Sequence, residues 1–207
     1  MSDKIKLHIS TNNSKLGDIP SINLPPIITC KPGCPCAKTC YALKGRFRFP
    51  AVKAAMADNL HLWQIDPAAY ERAVIDCAYY SRFFRWHSAG DVPSAAYLHM
   101  MTQVARACKS TQFLAFSKRD DIIPYYLHSG GAIPRNLHIV YSEWVGVNSC
   151  LGDIDLPRAY VRLRSGEGVD AIPSSARQCC GNCAACVRGR SSCWSLRAGQ
   201  SVVFDEH

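Results

Sequence analysis

The sequence predicts an α/β fold with a mainly parallel sheet, either open or curled into a partial barrel, followed by a cysteine-rich C-terminal segment. Two observations carry this. Short apolar runs alternate with longer stretches of helical spacing, and strand alternating with helix implies right-handed crossovers between parallel neighbours. Polar residues also collect where the expected strands end, which is where ligands bind in parallel α/β folds. With 207 residues, 48% of them hydrophobic, the chain can bury a normal core. The expected division is a core over residues 1–170, which carries an N-terminal cysteine loop, and a cysteine segment over 171–207 packed on it.

In chain order, Ile22 to Thr29 (I-N-L-P-P-I-I-T) reads as an extended entry into the first cysteine loop, its two prolines opposing a regular central strand. Val52 to Gln64 has helical spacing, with Val52, Ala55, Met56, Leu60 and Trp63 near one face, and Pro67 to Tyr80 follows as a helix with proline in its first turn. Arg82 to His87 (R-F-F-R-W-H) reads as a buried strand and Ser94 to Cys108 as a helix. Phe113 to Phe116, Leu137 to Tyr141, Tyr160 to Leu163 and Val202 to Phe204 are further strands, with a short helix over Ile122 to His128.

Nine of the twelve cysteines fall into two knots, Cys30, Cys34, Cys36 and Cys40, then Cys179, Cys180, Cys183, Cys186 and Cys193. Each knot has enough thiolates for a metal centre. Cys180, Cys183 and Cys186 stand at C-x2-C-x2-C spacing with Cys193 behind them, which resembles the ligand run of bacterial-type ferredoxins. Zinc is the competing occupant, since it takes four thiolates as a tetrahedron. A disulfide framework suits small secreted chains that lack a sufficient core, unlike this one. The start Met-Ser-Asp-Lys-Ile-Lys has no apolar signal segment behind it, and no run is long or apolar enough to span a bilayer. The expected setting is a reducing cytoplasm with no membrane partner, where clustered cysteines are metal ligands. Cys77, Cys108 and Cys150 stand alone and read as small buried apolar residues.

The balance of 24 Lys and Arg against 16 Asp and Glu gives +8. That excess favours an anionic substrate or partner, and part of it would balance thiolate-ligated clusters. The cations are scattered through Lys44, Arg46, Arg48, Arg82, Arg85, Lys118, Arg119, Arg162 and Arg164, which is weak support for nucleic acid unless the fold gathers them.

The candidate catalytic residues His87, Asp91, Lys118 and Glu143 sit at consecutive strand ends, together with the candidate ligand-binding residues Ser88, Gly90, Asp91 and Ser142. The plainer assignments remain open: a carbonyl-capping histidine, an aspartate at an N-cap or turn, and loop charges with Glu143 paired to Lys118 or Arg119. Trp86, Trp144, Tyr79 and Tyr80 read as core or rim packing.

The segments L-P-P-I-I-T-C, P-C-A-K-T-C-Y-A-L-K-G, F-F-R-W-H-S-A-G-D and F-L-A-F-S-K, with the terminal Cys193-Trp194, resemble the phage and bacterial gene product 88 family from about Leu24 onward. More distantly, the cysteine loop ending in Cys-Tyr-Ala and the strand-helix order resemble a short radical S-adenosylmethionine enzyme. That resemblance implies a partial β/α barrel and a [4Fe-4S] cluster with one iron open to S-adenosylmethionine. It also implies an auxiliary cluster in the terminal knot, and reductive sulfonium cleavage yielding a hydrogen-abstracting radical. Ser88-Ala89-Gly90-Asp91 would stand where those enzymes keep a Gly-Gly-Glu turn, and Ser142 and Glu143 near the ribose strand. The gaps between Cys30, Cys34, Cys36 and Cys40 are x3, x1 and x3, against the C-x3-C-x2-C of that superfamily. Three functions stay open: an enzyme of this type on an unknown substrate, a fully cysteine-ligated iron–sulfur protein that is non-catalytic or transfers electrons, and a zinc-stabilised nucleic-acid-binding protein.

Overall fold

Local capping sets the helices. A computed structural model describes residues 6–206 apart from 145, 146, 148 and 188–191. Helix α1 (Pro50–Ile65) begins with proline in its first turn, where a missing N–H goes unneeded, and turns Met56, Asn59 and Leu62 inward. The buried Asn59 donates to the carbonyls of His8 and Asn23 at 2.9 and 3.0 Å and accepts from the His8 N–H at 2.7 Å, tying α1 to the chain's first strands. In α2 (Pro67–Ala78) the Asp66 carboxylate accepts from the Ala69 N–H at 2.9 Å. In α3 (Ala95–Ala107) the cap is Ser94, accepting from the Tyr97 N–H at 3.2 Å. Helix α4 (Ile122–His128) matches its sequence expectation, and α5 (Cys183–Cys186) is a single turn.

Among the described residues eight strands form one sheet: β1 (Ile9–Ser10), β2 (Ser21–Ile22), β3 (Phe83–Trp86), β4 (Gln112–Ser117), β5 (Leu137–Ser142), β6 (Arg158–Arg162), β7 (Arg177–Gln178) and β8 (Ser201–Asp205). Their spatial order is β1-β2-β3-β4-β5-β6-β8-β7, and every neighbouring pair is parallel except β1 with β2. The α/β class and the mainly parallel sheet match the sequence expectation. The extended entry is shorter than expected, because only Ser21 and Ile22 pair before Pro25 and Pro26, which lack N–H donors, turn the chain. Strand β6 starts at Arg158, two residues early, where Arg158 pairs with both Tyr141 and Ser201. Strands β7 and β8 lie beyond residue 170, so the terminal segment contributes to the sheet as well as carrying cysteines.

The two faces of the sheet are covered differently. Phe84, Trp86, Phe113, Ala115 and Ile139 face the four longer helices in one cluster with Tyr70, Tyr97 and Met101. Each large side chain fully buried there contributes roughly 1.5–3 kcal/mol. Leu114, Val140, Ala159 and Val202 point to the other face, where Leu16, Ile19, Trp194 and Leu196 cover them, with Cys179, Cys183 and Cys193 alongside. A parallel sheet needs both faces covered. Here the second cover is made from the cysteine segment and an N-terminal loop.

Two packing expectations are corrected, one on the isolated cysteines and one on the aromatic residues. Of the isolated cysteines only Cys108 is buried. Cys77 is exposed because the buried stripe of α2 runs through Tyr70, Val74 and Ala78, and Cys150 is exposed on a loop that donates its N–H to Asp120. Trp86 is core, but Tyr79 and Tyr80 are 55% and 91% exposed, because α2 ends at Ala78 and the chain turns outward there. Among the described residues no helix is long and apolar enough to cross a membrane.

Candidate functional site

The ends of β3 and β4 hold the first cysteine loop. The Leu24 N–H donates to the Ala89 carbonyl at 3.1 Å, and Thr29 Oγ1 accepts from the Asp91 N–H at 3.1 Å. The Arg119 guanidinium, buried behind the loop, donates to the carbonyls of Thr29 and Val92 at 3.3 and 2.9 Å. Lys31 reaches the buried Asp120 at 2.5 Å. Cys30 is thereby fixed between the two strand ends. Ile27 takes a left-handed φ of +70° just before it, a rare conformation for a β-branched residue. Burial raises the Cys30 thiol to about 11, opposed by a hydrogen bond from the Ile27 backbone.

Cys34 Sγ lies 2.9 Å from Cys36 Sγ. The two thiols share this contact, which lowers Cys34 and raises Cys36. Cys40 follows, and the Tyr41 hydroxyl donates to the Ser88 carbonyl, joining the loop to the β3 end a second time.

The terminal knot is anchored on the other side of the same space. The Cys179 N–H donates to the Val203 carbonyl of β8 and the Cys183 N–H to the Lys15 carbonyl, both at 2.8 Å. Trp194 packs edge-on against Phe83 at 5.6 Å, and Ser192 and Ser195 form a capping box around Cys193. Burial raises Cys183 and lifts Cys193 to about 12. Among the described residues all the cysteines are free thiols, and no three metal-donor side chains are grouped closely enough to hold a metal ion.

Both knots line one cavity of about 930 Å³. Its floor is the second sheet face, with Arg85 of β3, Leu114 and Phe116 of β4, and Val202 of β8. Its rim carries His87, Ser88, Gly90, Asp91, Lys118 and Ser142, so the expected strand-end residues do come together. Glu143 does not join them, since it is ion-paired with Arg158 instead of with Lys118 or Arg119. Arg119 pairs with Asp121 at 2.7 Å.

The rim residues are already engaged in particular ways. Lys118 Nζ donates to Ser142 Oγ at 2.9 Å and lies over the Trp144 ring at 5.7 Å. Asp91 is buried, and its carboxylate accepts from Ser117 Oγ and the Val92 N–H, both at 2.7 Å, and from the Lys118 N–H at 2.9 Å. Burial raises its pKa against those donors. Asp91 therefore fastens the end of β3 to the end of β4. Asp91→Asn turns an amide N–H toward a donor and is expected to destabilise the fold by about 1–3 kcal/mol in urea unfolding, with metal content unchanged.

His87 leaves the strand at φ +51° and is buried, with Nε2 3.1 Å from the Tyr97 hydroxyl. Burial, then the charge on Arg85, lowers its pKa to about 3. The unfolded chain, with an ordinary histidine near 6.5, binds more protons than the folded chain between these values. Stability is therefore full above pH 6.5 and falls as the pH drops toward 3, by up to about 1.4 kcal/mol per pH unit. His87→Gln should flatten the change in urea midpoint between pH 7 and pH 5. An equally steep slope in the variant would assign it to other groups.

Sequence reading missed Arg85, Lys31 and Tyr41 as site residues. Arg85 lies over the Phe116 ring at 4.3 Å, and burial lowers its pKa. The alternation Phe83-Phe84-Arg85-Trp86 held the signal, since Arg85 falls opposite the two large helix-facing aromatics.

No curated protein and no solved structure matches this chain. The model of one family, gene product 88, matches residues 3–146, which contain the first cysteine knot, strands β1 to β5 and most of the cavity rim. The chain belongs to the gene product 88 family.

Proposed function

We propose that this chain is an iron–sulfur protein with two cysteine-ligated clusters facing one ligand cavity, working as a short radical S-adenosylmethionine-like enzyme. The observation that carries the proposal is the convergence of both knots and three successive strand ends on a single cavity. Cys30, Cys36 and Cys40 would hold the first cluster, with Cys34 at hand as a fourth sulfur, and four of Cys179, Cys180, Cys183, Cys186 and Cys193 the second. The donor set is all soft sulfur, which suits iron–sulfur clusters or zinc, and binding would draw the sulfurs of each knot together, since no three described donors stand close enough as they are. The unbroken strand order from β2 to β6, with the long helices on one face and the cavity on the other, suits half of a β/α barrel.

A cluster held at the first loop would supply one-electron reduction to a bound cofactor. The protein's own part is legible in its side chains. Arg85 on the floor and Lys118 on the rim make the cavity cationic, and Phe116, Leu114 and Val202 exclude water from its floor. His87 stays neutral at physiological pH, and Asp91 keeps the β3 and β4 ends in register.

A second reading, a fully ligated electron-transfer protein, draws on Cys34, whose sulfur lies beside Cys36 and would close the open iron. Anaerobic purification with iron, sulfide and zinc analysis, followed by electron paramagnetic resonance of the reduced protein with and without S-adenosylmethionine, separates them. About eight irons per chain, as two cubane clusters require, and a signal that shifts with S-adenosylmethionine support the enzyme. Iron without a shift favours electron transfer, and zinc without iron overturns both.

A further inference from the structure

Charge is segregated along this chain. Residues 19–57 contain six of the 24 Lys and Arg and none of the 16 Asp and Glu, leaving 18 cations against 16 acids elsewhere. Most of the net +8 therefore sits in the segment that carries the first cysteine knot. The segment folds as three short 3-10 turns (Pro35–Thr39, Tyr41–Leu43 and Gly45–Arg48) leading into α1, and Lys38, Lys44, Arg46, Arg48 and Lys53 are all exposed. None of these five has an ion-pair partner among the described residues. Apolar and aromatic surface is interleaved with them: Tyr41, Leu43 and Phe49 are 48%, 47% and 58% exposed. Cys40, Tyr41 and Phe47 of the same segment also line the cavity, so the basic surface runs into the cavity wall.

A solvated face mixes charges of both signs. One sign, unpaired, with exposed rings between the cations, is what a phosphate backbone with unstacked bases requires. We propose that the 38–53 surface binds single-stranded nucleic acid, cations on phosphates and Phe49 on a base, and presents one nucleotide to the cavity. A duplex hides its base faces from such rings. The cavity lies within the size range of single-ligand pockets, about 300–1,000 Å³.

Fluorescence anisotropy of the full chain with labelled oligothymidylate tests this across a salt series. The combined variant Lys44→Ala, Arg46→Ala and Arg48→Ala should bind at least ten-fold more weakly, with a log–log salt slope shallower by about 2, as three lost single-strand phosphate contacts imply. Phe49→Ala should weaken binding at least about five-fold. The exposed Arg164→Ala, outside the 38–53 segment, should change nothing, and iron content and thermal midpoint should match across the set. Absent binding at low salt, or an unchanged salt slope in the triple variant, overturns the proposal. Equal competition by poly-L-glutamate with Phe49→Ala neutral also overturns it and assigns the surface to an acidic protein. If the wild-type chain binds the oligonucleotide but carries no iron, the cluster reading fails and the interface stands.

Discussion

Serine in place of Cys183 is expected to remove iron from the terminal knot and to lower thermal stability sharply. Cys183 opens the one-turn helix α5, its N–H donates to the Lys15 carbonyl, and its side chain packs against the second face of the sheet. On the cluster reading, a metal centre there would tie Cys179, Cys183 and Cys193 together on that face. Because no such centre preforms in the unfolded chain, its binding free energy becomes folding free energy, about 10–16 kcal/mol for structural zinc sites. That is comparable to the whole stability of a typical domain, about 5–15 kcal/mol. Iron analysis and anaerobic circular dichroism melting check the outcome. Cys77→Ser, on the exposed side of α2, is the matched control and should keep both iron and midpoint. Full metal content and an unchanged midpoint in Cys183→Ser would remove the structural centre from the account.

Gly90→Ala should destabilise the fold by a smaller amount, for a reason independent of metal. Gly90 takes φ +79°, and a Cβ there would stand 2.5 Å from the Leu24 carbonyl oxygen and 2.7 Å from Thr29 Oγ1. The left-handed conformation costs an L-residue roughly 1–2 kcal/mol. Forcing a methyl into packed surroundings adds about 1–3 kcal/mol. The atoms it meets are backbone and the threonine that receives the Asp91 N–H, so relief would come only by moving the first cysteine loop. A loss of about 3 kcal/mol in urea unfolding, with lower iron occupancy at the first knot, is the expected result. A wild-type urea midpoint would show that the loop can shift freely, against the tight clamp formed by Thr29, Asp91 and Arg119.

The parts of this fold legible in the sequence are those specified locally. Pro50, Pro67, Asp66 and Ser94 mark helix starts because each acts on donors within one turn of itself. Strands β3, β4 and β5 carry runs of large apolar residues that suit few positions outside a buried sheet. Two-residue strands such as β1 and β7 have no period to detect and form only where a strand distant in sequence offers an edge. Residue chemistry at the site was legible too, since nine clustered sulfurs and a series of polar strand ends are visible by type and spacing. The use of each residue was not. Asp91 serves three donors, one from its own loop and two from the end of β4, and Glu143 meets Arg158 from the next strand, pairings set by tertiary placement.

By itself the sequence determined the α/β class, the four longer helices, the membership of the two cysteine knots and the excess of positive charge. Tertiary structure decided that the knots face each other. Strand β8 enters the sheet between β6 and β7, and Cys179, Cys183 and Cys193 pack on the face that the helices leave uncovered. The physical reason is one of range. Helix caps and apolar periods act over a few residues, whereas the sharing of a cavity by Cys30 and Cys193 depends on hydrogen-bond register accumulated strand by strand across the sheet.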